Sequence, residues 1–173
     1  EYASSFARER IQGVDLGDLK NPDAVSVPII QHPDVRRMLM TIRCQTEALR
    51  SLLYRMAYYA DVAECTDDKK RGAALMDRVD LLVPILKAHG SDLAYDLATM
   101  ALQVFGGYGY ISEYPVEQLV RDAKIASIYE GTNGIQAMDL LGRKMRIKGG
   151  ALYMGWMQEA NKLVARGKKS GFD

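Results

Sequence analysis

Two long amphipathic stripes constrain the fold of this chain more than any other feature. Val35, Met38, Leu39, Ile42, Leu49, Leu52, Leu53, Met56, Ala60 and Ala63 recur mostly every three to four residues, the spacing of one helix face. Pro33 falls in the first turn of that pattern, where a missing N–H is harmless. A second stripe, Leu75, Val79, Leu82, Leu86, Leu93, Leu97, Met100 and Val104, keeps the same period through Pro84 and Gly90. An interior proline costs about 3 kcal/mol, so the spacing predicts a long helix that is kinked or broken near those residues. Gly106-Gly107 then supplies a natural C-terminal cap.

Shorter helical patterns flank these two. Tyr2 to Gln12 reads as a helix, and Pro115 opens another that carries Val116, Leu119, Val120, Ala123 and Ile128 inward. Gly131 ends that helix, and Thr132 or Asn133 caps the next, whose inner face is Ile135, Met138, Leu141 and Met145. Between Val14 and Gln31 lie Gly17, Asn21-Pro22, Pro28 and the aspartates Asp15, Asp18 and Asp23, the marks of a polar loop. Beyond Arg146, Gly149-Gly150 and then Ala151 to Ala165 predict a hinge and a further short helix with a basic tail. No segment alternates as a strand does, so the fold class is all-α. Long helices joined by short connections predict an antiparallel four-helix bundle that includes the first helix. With 173 residues and 48% hydrophobic content, one sizeable core in one domain is expected.

Lys plus Arg number 23 against 22 for Asp plus Glu. The net charge of +1 creates no field that would recruit nucleic acid or an anionic membrane, so any anion site must be local. Cys44 and Cys65 form no C-x-x-C pair and have no neighbouring histidine, which reads as reduced thiols of an intracellular protein. His32 and His89 lack partners at metal-ligand spacing, so no metal is expected. Nor is there an apolar run near the ~20 residues of a membrane span, or a signal-peptide layout, and a soluble protein is expected. The sequence opens at Glu1 within a helical pattern and without an initiator methionine, which reads as part of a longer chain.

The chemistry concentrates late in the chain. Tyr129-Glu130-Gly131-Thr132 places a carboxylate on a short glycine-broken bend between two helical patterns, where it can act as a base. Ahead of it run Gln103-Val104-Phe105-Gly106-Gly107-Tyr108-Gly109-Tyr110, Glu113-Tyr114-Pro115-Val116-Glu117 and Arg121-Asp122-Ala123-Lys124-Ile125. Together these resemble the C-terminal half of an acyl-CoA dehydrogenase, whose signature is Q-x-F-G-G-x-G-[FY], E-Y-P-V-E, R-D-x-K-I and I-Y-E-G-T, in that order. The form Tyr-Glu-Gly-Thr-Asn-Gly-Ile-Gln, with Asp139 to Lys144 after it and His32 to Leu39 before it, is most similar to a bacterial subgroup. That subgroup includes 3-methylmercaptopropionyl-CoA dehydrogenases and carries a C-terminal extension. The resemblance divides the chain into a helical-bundle domain over residues 1–147 and the start of an extension over 148–173.

What the resemblance implies is specific. The glutamate matching Glu130 removes the α-proton of an acyl-CoA thioester while the β-hydrogen leaves as hydride to FAD. A carboxylate enclosed by apolar surface is a stronger base than one in water, which suits that work. The residue matching Thr132 contacts the flavin, although the threonine also suits plain helix capping. Those matching Gln103 and the glycines Gly106 and Gly107 meet the adenosine-diphosphate part of FAD from a neighbouring subunit. Paired glycines also end helices without any ligand.

Arg10, in Phe6-Ala7-Arg8-Glu9-Arg10-Ile11-Gln12-Gly13, matches an arginine that pairs with the FAD pyrophosphate across the dimer, a geometry a guanidinium suits. Arg8 is an alternative, and either arginine could be a solvated helix residue. Two departures stand out: Gly13 replaces the family's phenylalanine, and Asn133-Gly134 removes a polar side chain that the family offers to FAD. The resemblance further implies an electron-transfer flavoprotein as acceptor, a homodimer or homotetramer, and a bacterial cytoplasmic location. A helical scaffold without catalysis is the competing reading, since the domains that build most of an acyl-CoA pocket are not in this sequence.

Overall fold

The computed structural model describes residues 1–171, and among them the chain is all-α with no strand. Its α-helices are α1 (Tyr2–Glu9), α2 (Pro33–Cys65), α3 (Lys69–Phe105), α4 (Val116–Ile128), α5 (Thr132–Met138) and α6 (Ala151–Lys169). Helices α2 and α3 are the two long stripes. Asp68 starts α3 by accepting the Lys70 and Arg71 N–H groups, each at 3.0 Å, on one carboxylate oxygen. The residues group into two compact units, Glu1–Arg50 with Gly90–Tyr129 and Ser51–His89 with Glu130–Asp173.

The first unit has a core of Ala3, Ala7, Ile29, Met38, Val104, Phe105 and Val116. Phe6 stacks on Phe105 with ring centroids 4.1 Å apart, and Tyr114 meets both rings edge-on at 6.0 and 5.5 Å. The Glu-Tyr-Pro-Val-Glu segment therefore has a packing role, because Tyr114 closes the aromatic cluster and Val116 is fully buried behind it.

Helix α1 ends at Glu9 instead of reaching Gln12. The backbone beyond it pairs with the far end of the polar loop: Ile29 N–H donates to Arg10 C=O, Gln12 N–H to Val27 C=O, and Val27 N–H to Gly13 C=O. Those non-local bonds, with the bridge between Ile11 and Pro28, hold residues 10–12 out of the helix where a local pattern would have continued it. Gly13 sits at φ +74°, and a Cβ there would lie 3.3 Å from His32 Nε2. That same nitrogen is 2.7 Å from the Gln12 carbonyl oxygen. The family's phenylalanine is thus replaced by a glycine whose backbone and neighbouring ring favour no side chain.

The second unit is built on Met56, Leu81, Leu82 and the fully buried Pro84. Helix α3 runs without a break through Pro84 and Gly90, so of the kink or break that the sequence predicted there the break does not occur. Burial of the proline ring offsets the hydrogen bond it cannot make. After α5 the chain turns through Lys148, Gly149 and Gly150 at φ 53°, 67° and 85°, the expected hinge, and α6 then extends to Lys169. Asn133 meets Ala88, Lys144 pairs with Asp80, and Lys148 pairs with Asp77, so residues 133–148 run antiparallel to α3. The Lys144 side chain is only 8% exposed and lies 3.0 Å from Asp80. Arg78 pairs with Glu159 of α6.

One expectation about faces is overturned. Leu119 and Ile128 of α4 are 44% and 56% exposed, and Ile135, Met138 and Leu141 are 49%, 68% and 62% exposed. Only Val116 and Ser127 of α4 are buried. Periodicity locates an apolar face, and what covers it is a separate matter.

Candidate cofactor cleft and base loop

Where α3 ends, Gly106 takes φ +60° and the chain winds through a tight helical turn to Tyr110. The glycines of this turn differ in what they are for. A Cβ on Gly109 would lie 2.6 Å from the Leu102 carbonyl oxygen and 2.9 Å from Phe105 Cβ, so packing excludes any side chain there. A Cβ on Gly107 would meet nothing within 4 Å. Packing within the chain does not require glycine at 107, which leaves its backbone open to close approach from outside. Gly109→Ala is expected to destabilise the fold by about 1–3 kcal/mol through overpacking. Gly107→Ala should change stability by less than about 0.5 kcal/mol. Thermal unfolding of the two variants measures the contrast.

Beside this turn lies a cleft of about 490 Å³. Arg10, Gln12, Gln103, Gly106, Gly107 and Tyr108 line it over apolar surface from Ile29, Val104 and Phe105. Arg10 lies just past the end of α1, not on it, and its guanidinium carbon is 5.0 Å from the centre of the Tyr108 ring. Its Nε and Nη2 each approach Gln12 Oε1 at 3.4 Å. Arg10, Gln103, Gly106 and Gly107, drawn from the two separate segments of the unit, therefore line one cleft. Arg8 is exposed and does not line the cleft. Tyr108 and Gln12 join the site without having been singled out. Both occupy unspecified positions of the motifs around them, so only contact reveals them.

Glu130 and Gly131 open the later segment of the second unit, directly after Tyr129 of the first. Tyr129 N–H donates to Ile125 C=O and closes α4 in an extended conformation. Glu130 then takes φ 54°, ψ 16° and Gly131 φ 65°, ψ 26°, two left-handed residues in succession. For a glutamate this conformation is disfavoured by about 1–2 kcal/mol. The Glu130 side chain is exposed. Gly131, rather than Thr132 or Asn133, occupies the N-cap of α5, and Thr132 is its first residue. Asn133 Nδ2 donates to the Ala88 carbonyl oxygen at 3.4 Å. At the far end α5 widens into a π-helical turn over Asp139–Arg143. There Arg143 lies 2.6 Å from Asp139 and holds that carboxyl below its usual range, first by hydrogen bonding and then by its charge.

Residues 16–145 match the family model of the acyl-CoA dehydrogenase C-terminal domain. The chain belongs to the acyl-CoA dehydrogenase family. It is 45% identical over 150 residues to the 3-methylmercaptopropionyl-CoA dehydrogenase of Ruegeria pomeroyi, covering 87% of this chain and 25% of the relative. It is 38% identical over 170 residues to a butyryl-CoA dehydrogenase of Syntrophomonas wolfei, covering 98% of this chain and 27% of the relative. Among solved structures, the butyryl-CoA dehydrogenase of Megasphaera elsdenii superposes with a TM-score of 0.55 at 31% identity, covering 83% of this chain and 31% of that one. The fold is accordingly all-α, as in the family's C-terminal domain. The chain spans about a quarter of the length of the curated relatives it matches.

Acyl-CoA dehydrogenases use FAD, and the cleft residues fit part of that group. A guanidinium suits a pyrophosphate, side-chain amides suit hydroxyl and ring nitrogen partners, and an unencumbered glycine backbone permits close approach. No helix among the described residues is long and apolar enough to cross a membrane.

Proposed function

We propose that this chain is the C-terminal part of an FAD-dependent acyl-CoA dehydrogenase in which Glu130 is the catalytic base. The observation that carries the reading is the convergence of Arg10, Gln103, Gly106 and Gly107 on one cleft. Arg10 pairs with the pyrophosphate of an FAD bound in a neighbouring subunit, while Gln103 and the backbone at Gly106 and Gly107 hold the adenosine end of that same FAD. The Thr132 hydroxyl contacts the flavin. FAD, when bound, accepts the β-hydrogen of the acyl chain as a hydride. Glu130 takes the α-proton onto a carboxylate oxygen, and the product is the trans-2-enoyl-CoA. The exposure of Glu130 in this chain is consistent with a pocket completed by the other domains of a longer enzyme.

Residues 1–147 form the bundle domain and 148–173 the start of an extension. The family match ends at residue 145, and the left-handed residues 148–150 follow at once. Residues 172 and 173 lie outside the described residues. Electrons pass to an electron-transfer flavoprotein, and the enzyme assembles as a homodimer or homotetramer. The exposed apolar side chains Leu119, Ile128, Met138 and Leu141 support assembly, since such surface is unfavourable in water. Unpaired, exposed Cys44 and Cys65 agree with the bacterial cytoplasm.

The complete protein is expected to purify yellow, and its oxidised-flavin absorbance should bleach when an acyl-CoA is added without oxygen. A colourless protein that acyl-CoA leaves unchanged would favour the non-catalytic scaffold. The chain by itself, with only peripheral cofactor contacts, should hold no stoichiometric FAD.

A further inference from the structure

The turn that presents Glu130 adopts a conformation its own sequence disfavours. Glu130 and Gly131 are consecutive left-handed residues, and a glutamate persists there only where its surroundings over-determine it. Helix α5, which follows, spans seven residues and has no side-chain cap at Gly131. A helix that short is not stable by itself. Asn133, one residue into α5, reaches out of it and donates from Nδ2 to the Ala88 carbonyl oxygen of α3, across 45 positions of sequence. The contact is partly buried, where a lost hydrogen bond is felt most.

We propose that Asn133 is a positioning residue, which through its hydrogen bond to the Ala88 carbonyl ties the base turn to α3 and sets the direction in which Glu130 is presented. It touches neither substrate nor reacting atoms in this role, and the inference rests on the reading of Glu130 as the base.

The chemistry of the amide gives a clean test. Asn133→Asp keeps the size and shape of the side chain and suits the first turn of a helix at least as well. An ionised carboxylate cannot donate, however, and it would face a carbonyl oxygen. A helix-capping role therefore predicts that Asn133→Asp behaves as wild type, and a tether predicts that it fails.

In the complete enzyme, hydrogen exchange of the peptide spanning residues 128–137 is compared with flavin reduction by acyl-CoA in Asn133→Ala, Asn133→Asp and Glu130→Gln. In both Asn133 variants we expect exchange to quicken and reduction to slow by about tenfold, with substrate affinity within about twofold. Misplacement of a reacting group by ~1 Å is sufficient for that loss. Unchanged exchange, wild-type behaviour of Asn133→Asp, or faster exchange with unaltered reduction would each overturn the positioning role. Reduction at the wild-type rate in Glu130→Gln would instead remove the base assignment, and exchange in Asn133→Asp would still decide whether the tether exists.

Discussion

Glu130→Gln in the complete enzyme should lower the rate of flavin reduction by acyl-CoA by at least ~10²-fold, the lower end of what a positioned general base contributes. The amide keeps the shape and hydrogen-bonding reach of the carboxylate while losing the ability to accept the α-proton. Substrate binding should therefore survive, and the loss should appear in the reduction step. The backbone supports a role of this kind, because Glu130 and Lys148 are the only non-glycine residues with positive φ among the described residues. Strain of that sort gathers where direction matters. Stopped-flow reduction under saturating acyl-CoA measures the effect, and an unaltered rate would place the base on another carboxylate of the complete enzyme.

Arg10→Ala should weaken FAD retention by about one to two orders of magnitude, since a charge-assisted contact to phosphate contributes about 1.5–3 kcal/mol. The chemical step in the residual holoenzyme should change far less. Arg10 is well placed for the contact: the loop bonds at Ile29 and Val27 fix its backbone, Tyr108 lies against its guanidinium, and Gln12 is its side-chain neighbour. No carboxylate pairs with it among the described residues. Arg10→Lys should recover only part of the loss, because an ammonium keeps the charge but not the fork. Titration of apoenzyme with FAD measures both variants. Equal affinity in wild type and Arg10→Ala would leave the arginine as a packing partner of Tyr108.

Much of the helical framework was legible from residue order alone, because a buried helix face must repeat every three to four residues whatever it packs against. The stripes from Val35 to Ala63 and from Leu75 to Val104 became α2 and α3, and the glycine pair at 106–107 ended α3 as expected. The family motifs were equally legible, since their order and spacing survive without any structure. Tertiary structure decided what depends on contact across the sequence. It stopped α1 at Glu9, because residues 10–13 spend their backbone bonds on the far end of the loop. It carried α3 through Pro84, because a buried ring offsets a missing hydrogen bond. It explained Gly13 by the ring of His32 and distinguished Gly109, which packing demands, from Gly107, which packing does not. It gathered Arg10, Gln103, Gly106 and Gly107 on one cleft and placed Glu130 in a left-handed turn, and neither is encoded in any local pattern. The apolar residues Leu119, Ile128, Met138 and Leu141 mark the limit of periodicity, which shows that a face is apolar but not which surface, within the chain or beyond it, covers that face.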